Sequence, residues 1–360
     1  MPKQTIKLKF MKLINKLGVL LLASGAFIAC ESDDNGNVNT NTDDDGGVAN
    51  LEFDNSLFVS NNDNGNINIY DVTNLDNVTA TTFATASTDA EGIYYDEVED
   101  NIIQVSRSEG RVDAFTDVSL NTTGIQIAAT LSSSASLDSP RDIAKDGDFF
   151  VVSDNADQDG DENTAEGRFF IFAQGDDGSL SLRNTVTVNF AVWGIEFDGD
   201  DLVVVVDKTS DVAIFEDFVN TNTTDATVTA TKRITIEGIV RTHGLAIDGG
   251  TLILTDIGSA MDDADGAFHL ITNYTTKFNT VANGETLVVA GNQIRVEGNN
   301  TFLGNPVAAE YDSSSDTVFI AERANGGGRV LVFANAQAGG NITPAVNNEV
   351  TGASSLYLNE

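Results

Sequence analysis

The chain has 360 residues, with 19 Lys+Arg against 55 Asp+Glu and a formal net charge of −36. So large an acidic excess excludes nucleic acid and anionic lipid headgroups as partners of the protein's body, and leaves divalent cations, basic proteins, neutral glycans and small molecules. A single cysteine excludes an internal disulfide, so stability must come from packing.

Residues 1–29 hold five lysines and no acid, then an apolar run from Leu17 to Ala29. This is the pattern of a secretory signal, too short to span a bilayer comfortably. Met11, followed by Lys12 and Lys16, is an alternative start that gives a leader of more ordinary length. Phe27-Ile28-Ala29-Cys30 resembles the lipobox of bacterial lipoproteins, which implies that Cys30 is acylated and becomes the new N-terminus; the alternative is an incidental cysteine behind a cleaved leader. Glu31-Ser32-Asp33-Asp34 resembles the acidic signal that sends some Gram-negative lipoproteins to the outer face of the outer membrane. The implied address is an outer-membrane lipoprotein displayed on the cell surface, with the periplasmic face as the alternative and the lipid as the only membrane contact. Residues 30–50 are dominated by Asn, Asp, Gly and Thr and predict a flexible acidic tether. Without the leader, 14 Lys+Arg face 55 Asp+Glu, a net charge of −41.

From residue 51 a pattern recurs: a short apolar segment ends in Asp, turns, and restarts as a second apolar segment. The register residues are Asp54, Asp96, Asp146, Asp198, Asp248 and Asp312, spaced 42, 50, 52, 50 and 64 residues apart. That is the spacing of a four-stranded blade and predicts an all-β, six-bladed β-propeller over residues 51–360. Second segments such as Ile102 to Val105 and Leu202 to Val206 are continuous β-branched runs and read as strands buried on both faces. Third segments alternate and end in a large apolar residue, as in Arg111 to Phe115 and Arg329 to Phe333. More polar fourth strands are expected at Thr81 to Phe83, Ile125 to Ile127, Val186 to Val188 and Val228 to Ala230. The register Asp itself reads as a turn cap. The chain ends with a segment, Gly352 to Leu358, that duplicates the slot of Leu51 to Phe53; either it completes the first blade and closes the ring, or the two compete and one lies outside.

Propeller geometry puts the residues just before each first strand at one mouth of the central channel. Counted back from the register Asps, these are Glu91, Arg141, Trp193, His243, Val307 and Ser354. Folding does not require such dissimilar residues at equivalent points, and convergent polar groups beside an aromatic platform suit a small molecule, glycan or protein ligand. The last positions of the second strands, Asn61, Arg107, Asp154, Asp207, Asp256 and Glu322, predict an acidic rim around that mouth. In the third repeat the turn lengthens. From Asn155, oxygen-bearing side chains fall at Asn155, Asp157, Asp159 and Asp161, with Gly160 at position 6 and Glu166 at position 12. This spacing resembles a calcium-binding EF-hand loop and implies Ca²⁺ as a cofactor of the loop alone, the flanks being strands; an acidic hairpin without metal is the alternative.

The segment Ala90 to Asp96, followed by Gly110 to Phe115, resembles a blade of the gluconolactonase and senescence-marker family of six-bladed propellers. That resemblance implies a divalent metal on Glu91; at the other equivalent positions, where the family has Asn and Asp, this chain has Arg141, Trp193 and His243. The Gly-Arg-Val repeats ending in Phe also resemble NHL-type propellers, which implies partner binding. Three readings follow: a binding module using the channel mouth, a metal-dependent lactonase or esterase using Glu91 and His243, and a scaffold subunit of an outer-membrane complex.

Overall fold

The computed structural model describes residues 50–161, 164–259 and 262–360. The leader, Cys30 and almost all of the tether lie outside the described residues. Six mainly antiparallel sheets follow one another along the chain, and in each the sequence order of strands is the inner-to-outer order, except at the seam. The chain is a six-bladed β-propeller.

The apolar second segments become the central strands: Ser56–Asn61, Asn101–Ser106, Thr251–Asp256 and Thr317–Glu322 are buried along their whole length. Their alternate side chains enter different cores, because each side of a blade packs on a different neighbour. Phe58 joins the core between blades 1 and 2, whereas Leu57 and Val59 join that between blades 6 and 1. Six such clusters exist, one per junction. A strand that faces two cores needs apolar residues at odd and even positions alike, which explains unbroken runs such as Leu202 to Val206, without helical period.

Closure is made by the C-terminal strand. Ala353–Asn359 is the innermost strand of blade 1 and pairs antiparallel with Ser56–Asn61. Leu51 to Phe53 is displaced from that slot: Phe53 packs beneath the ring against Phe58 and Tyr95, and its carbonyl accepts the Asn359 side-chain amide at 3.1 Å. The register position of blade 1 is therefore Asn359, paired with Ser56 as Asp96 is with Asn101, and not Asp54. The register carboxylates do more than cap turns. Asp96 accepts the Val98 and Glu99 N–H groups but also holds Lys145 of blade 3 at 2.7 Å, Asp198 binds the Tyr274 hydroxyl, and Asp248 accepts the Ser313 N–H of blade 6.

The outer edges also differ from the sequence expectation. Fourth strands of blades 2 and 4 are Leu131–Ser132 and Lys232–Ile236. Ile125 to Ile127 and Val228 to Ala230 lie instead in connections that run along the outside of the preceding blade, through the Ala84–Gln126 bridge and the short strand Ala226–Thr227 beside Leu180–Val188. Covering a sheet edge in this way removes a template for unwanted strand pairing.

Candidate functional site

The mouth residues sit in a repeated irregularity. Pairing of the inner strand with its neighbour slips between Ala90 and Ile93, Pro140 and Asp142, Val192 and Ile195, and Pro306 and Ala308. Glu91, Arg141, Trp193 and Val307 occupy these bulges. A bulge turns one side chain out of the strand's alternation, and Glu91, Arg141 and Trp193 meet at the channel mouth in this way, whereas Val307 packs into the core between blades 6 and 1. Close backbone approach completes the level: a Cβ on Gly194 would lie 2.6 Å from the His243 carbonyl oxygen, and one on Gly244 would lie 2.6 Å from Ala308 Cα.

Four of the predicted residues form one continuous ladder across four blades. The Trp193 indole stacks on the His243 ring at 3.7 Å and 5°, and the Arg141 guanidinium lies 4.2 Å from the Trp193 ring centroid. Arg141 in turn faces Glu91 at 3.6 Å, and Glu91 also meets Arg107 at 3.5 Å and the Asn62 amide at 3.4 Å. At the other end, His243 Nε2 lies 3.2 Å from Asp207 Oδ1, which Arg241 holds at 2.9 Å. Trp193 is thus a layer between two neighbours and not an open platform. Stacking and cation–π contacts of this kind stabilise the array by roughly 0.5–2 kcal/mol each.

The carboxylates lie deep and the guanidiniums lie over them: Glu91 and Asp207 are 3% and 2% exposed in their side chains, against 25% for Arg107 and 28% for Arg241. Burial raises the Glu91 carboxyl to about 7, against the pull of Arg141 and Arg107. Burial also lowers His243 to about 4, so the imidazole is neutral at pH 7. Burial alone would raise Asp207, but His243 and Arg241 hold it down at about 2. His243 Nε2 meets Asp207 as a polar contact at 3.2 Å without a hydrogen bond on either ring nitrogen, and Arg107 Nε and Asn62 Oδ1 are likewise buried without a hydrogen-bond partner.

The acidic rim is not a single ring. Arg107 and Asp207 are equivalent to Asn62 and Asn155, all four donating their backbone N–H to the residue before the inner strand. Asp154, Asp256 and Glu322 stand one residue earlier, and successive strand residues point to opposite sides. Their carboxylates turn inward and organise loops. Asp154 accepts the Asp138 and Ser139 N–H groups at 2.8 and 2.9 Å, Asp256 those of Val240 and Arg241 at 2.9 and 3.2 Å, and Glu322 those of Gly304, Asn305, Ala324 and Asn325 at 2.8–3.0 Å. Asn62 and Arg241 were not singled out in the sequence. Asn62 carries a signal, its equivalence to Arg107 and Asp207; so does Arg241, which precedes its register residue by seven positions as Asp89, Ser139, Ala191 and Asn305 precede theirs.

In the extended third-repeat turn, Asp157, Asp159 and Glu166 each bring a carboxylate oxygen within 4.8 Å of the others. Asn155, expected as the first ligand, is turned to the mouth, where its Oδ1 accepts Arg141 Nε at 2.9 Å and Ser139 Oγ at 3.0 Å. Asp161 donates its backbone N–H to Asp159 at 2.8 Å, and residues 162 and 163 lie outside the described residues.

No family model matches the chain, and no curated protein is significantly similar to it in sequence. Solved structures do share the fold. A candidate 6-phosphogluconolactonase of Bacteroides fragilis superposes with a TM-score of 0.56 at 11% identity, over 85% of this chain and 98% of that one. The periplasmic gluconolactonase PpgL of Pseudomonas aeruginosa gives 0.55 at 12% identity, over 85% and 99%. A chain of a nidogen–laminin complex gives 0.53 at 13% identity, over 85% and 98%. Identities this low establish a common architecture and leave the activity to the site itself.

The site does not fit the metal that the gluconolactonase resemblance implies for Glu91. Two guanidiniums already occupy the space around that carboxylate, and a divalent cation there would be repelled by both. Trp193 and Arg141, at two of the other equivalent positions, offer no ligand atom.

Proposed function

We propose that this protein is an exported, lipid-anchored binding module that takes a small-molecule, glycan or protein ligand at the channel mouth, through Glu91, Arg107, Arg141, Trp193, Asp207 and His243. The observation that carries this reading is the set of buried, unpaired polar atoms on His243, Arg107 and Asn62. Each such atom costs roughly 1–3 kcal/mol in a folded protein, and three residues at one mouth carry that cost together. Asp256 and Glu322 are assigned to loop structure and leave the ligand set. Anchoring through Cys30 rests on the lipobox resemblance; a Cys30→Ser chain should leave the membrane fraction.

Hydrolysis of a lactone or ester is the second reading, favoured by the neutral His243 beside Asp207, an arrangement suited to accepting a proton, and by the lactonases among the proteins of like fold. Trp193 is the only tryptophan in the chain, so its emission reports on the mouth directly. Titration with maltohexaose and with D-glucono-δ-lactone should give a saturable change with at least one of them, weakened about tenfold in His243→Ala. Lactone turnover abolished by the same substitution would establish the hydrolase instead. A silent Trp193, with co-purification of an outer-membrane protein that survives His243→Ala, would favour the scaffold.

For the Asp157, Asp159 and Glu166 loop we propose Ca²⁺, completed by loop carbonyls or water. Melting should then shift upward by several degrees with millimolar calcium and return with chelator; identical melts would remove calcium from this loop.

A further inference from the structure

Beyond the mouth ladder the channel holds a separate chamber of about 280 Å³, room for roughly nine water-sized groups, lined by none of the ladder residues. Its lining mixes polar groups with an aliphatic and aromatic stretch, in which Ile93, Ile143, Ile195 and Leu356 stand beside Tyr94 and Tyr357, whose rings lie 4.6 Å apart. Three inner strands each contribute a carboxyl group to it: Asp142, Glu196 and Glu310. Asp142 accepts the Ile195 N–H of the next blade at 3.0 Å, and the Glu196 and Glu310 carboxyls face the backbone N–H groups of Ile247 and Leu358 in other blades. That leaves Glu196 and Glu310 with acceptor capacity unspent, since an ionised carboxylate offers about four lone-pair sites.

No counter-charge is available inside. Lys145 is the one basic residue of the lining, and its ammonium is committed to Asp96 at 2.7 Å. The same lysine shows what the rim accepts: Nζ lies 5.3 Å from the ring centroids of both Tyr94 and Phe150, an alkylammonium held by a carboxylate and two aromatic faces. A divalent metal is served less well. Among the described residues, the carboxylate groups with oxygens all within 4.8 Å lie elsewhere.

We propose that the chamber binds a small alkylammonium ligand, its cationic end held by Glu196 and Glu310 and its alkyl part lying against the isoleucine and leucine wall. This site shares no residue with the mouth, so the failure of either proposal leaves the other standing. Desolvation within the channel raises all three acids, Asp142 to about 7; Glu310, Asp142 and Asp198 push Glu196 higher, and Asp142 and Glu360 do the same for Glu310. The remaining titratable groups facing the chamber are Lys145, Tyr94 and Tyr357. Entry of an ammonium group therefore expels protons, and affinity must rise with pH.

Calorimetric titration of the full chain with cadaverine in 150 mM salt, at pH 6.0 and 8.5, tests this. Expected are one saturable site, at least about tenfold tighter at the higher pH, and a loss of about tenfold or more in Glu196→Gln and in Glu310→Gln, the scale of one charge-assisted hydrogen bond. His243→Ala should bind as the parent does. Both glutamine variants keep the side-chain shape and put a neutral amide where a charged carboxylate is disfavoured, so they should melt at or above the parent temperature. Absence of saturable heat would overturn the proposal. So would equal binding by the glutamine variants, which would place the amine on the acidic exterior, or a preference of the chamber for Ca²⁺ that Glu310→Gln abolishes.

Discussion

A chain ending at Gly352 is expected to lose cooperative folding altogether. The deleted strand Ala353–Asn359 supplies the inner partner of Ser56–Asn61, and its loss would leave a fully buried central strand as an open edge. It also removes Leu356 from the core between blades 6 and 1, the Ser354 hydroxyl bond to the Ala90 carbonyl at 2.9 Å, and the Asn359 bond that holds Phe53. Truncating one buried leucine costs about 2–5 kcal/mol, and the whole margin of a domain is about 5–15 kcal/mol. Removing a leucine, a ladder of backbone bonds and the ring closure together exceeds that margin. Thermal melts followed by circular dichroism should show a broad transition or aggregation. A sharp transition within about 5 °C of the full chain would mean that Leu51 to Phe53 can take over the seam.

The second large effect is a fall in stability with rising pH. An acid whose folded pKa is raised favours the folded state most at low pH and loses that advantage as pH climbs through the folded value. Burial raises Glu91 and Asp142 to about 7, and raises Glu196 and Glu310 well above the ordinary range. Two groups act in the opposite direction, but lower: His243, depressed to about 4, loses its contribution as pH falls below 6.5, and Asp207, depressed to about 2, loses its own below about pH 4. Between pH 6.5 and 8.5 the channel acids dominate, and each group that ionises near 7 costs roughly 1 kcal/mol across the interval. The melting temperature should therefore fall by about 3 °C or more across that interval. Glu310→Gln should flatten the slope. A flat or rising profile in the parent chain would show that the channel acids ionise at ordinary pH values.

The two effects differ in how far they could be read from the chain itself. The seam was legible as a choice between two apolar segments, since Leu51 to Phe53 and Leu356 to Leu358 have the same pattern, and only the pairing of Ser56–Asn61 selects between them. The channel acids were invisible. Asp142 precedes its register residue by four positions and Glu196 and Glu310 precede theirs by two, so no single offset collects them, and their chamber exists only where blades converge.

The sequence by itself determined the architecture and the membership of the mouth ladder. A strand buried between two cores must be apolar at every position, so each blade is written in the chain residue by residue, and a fixed count back from the turn finds Glu91, Arg141, Trp193 and His243. Tertiary structure alone decided what those residues do. The bulges turn Glu91, Arg141 and Trp193 toward the mouth, and the stack covers Trp193. A shift of one residue sends Asp154 into a loop and Asp207 to His243. The reason is geometric: strand periodicity fixes which residues are buried, whereas the direction of a single side chain depends on a local slip in pairing and on neighbours 50 residues away.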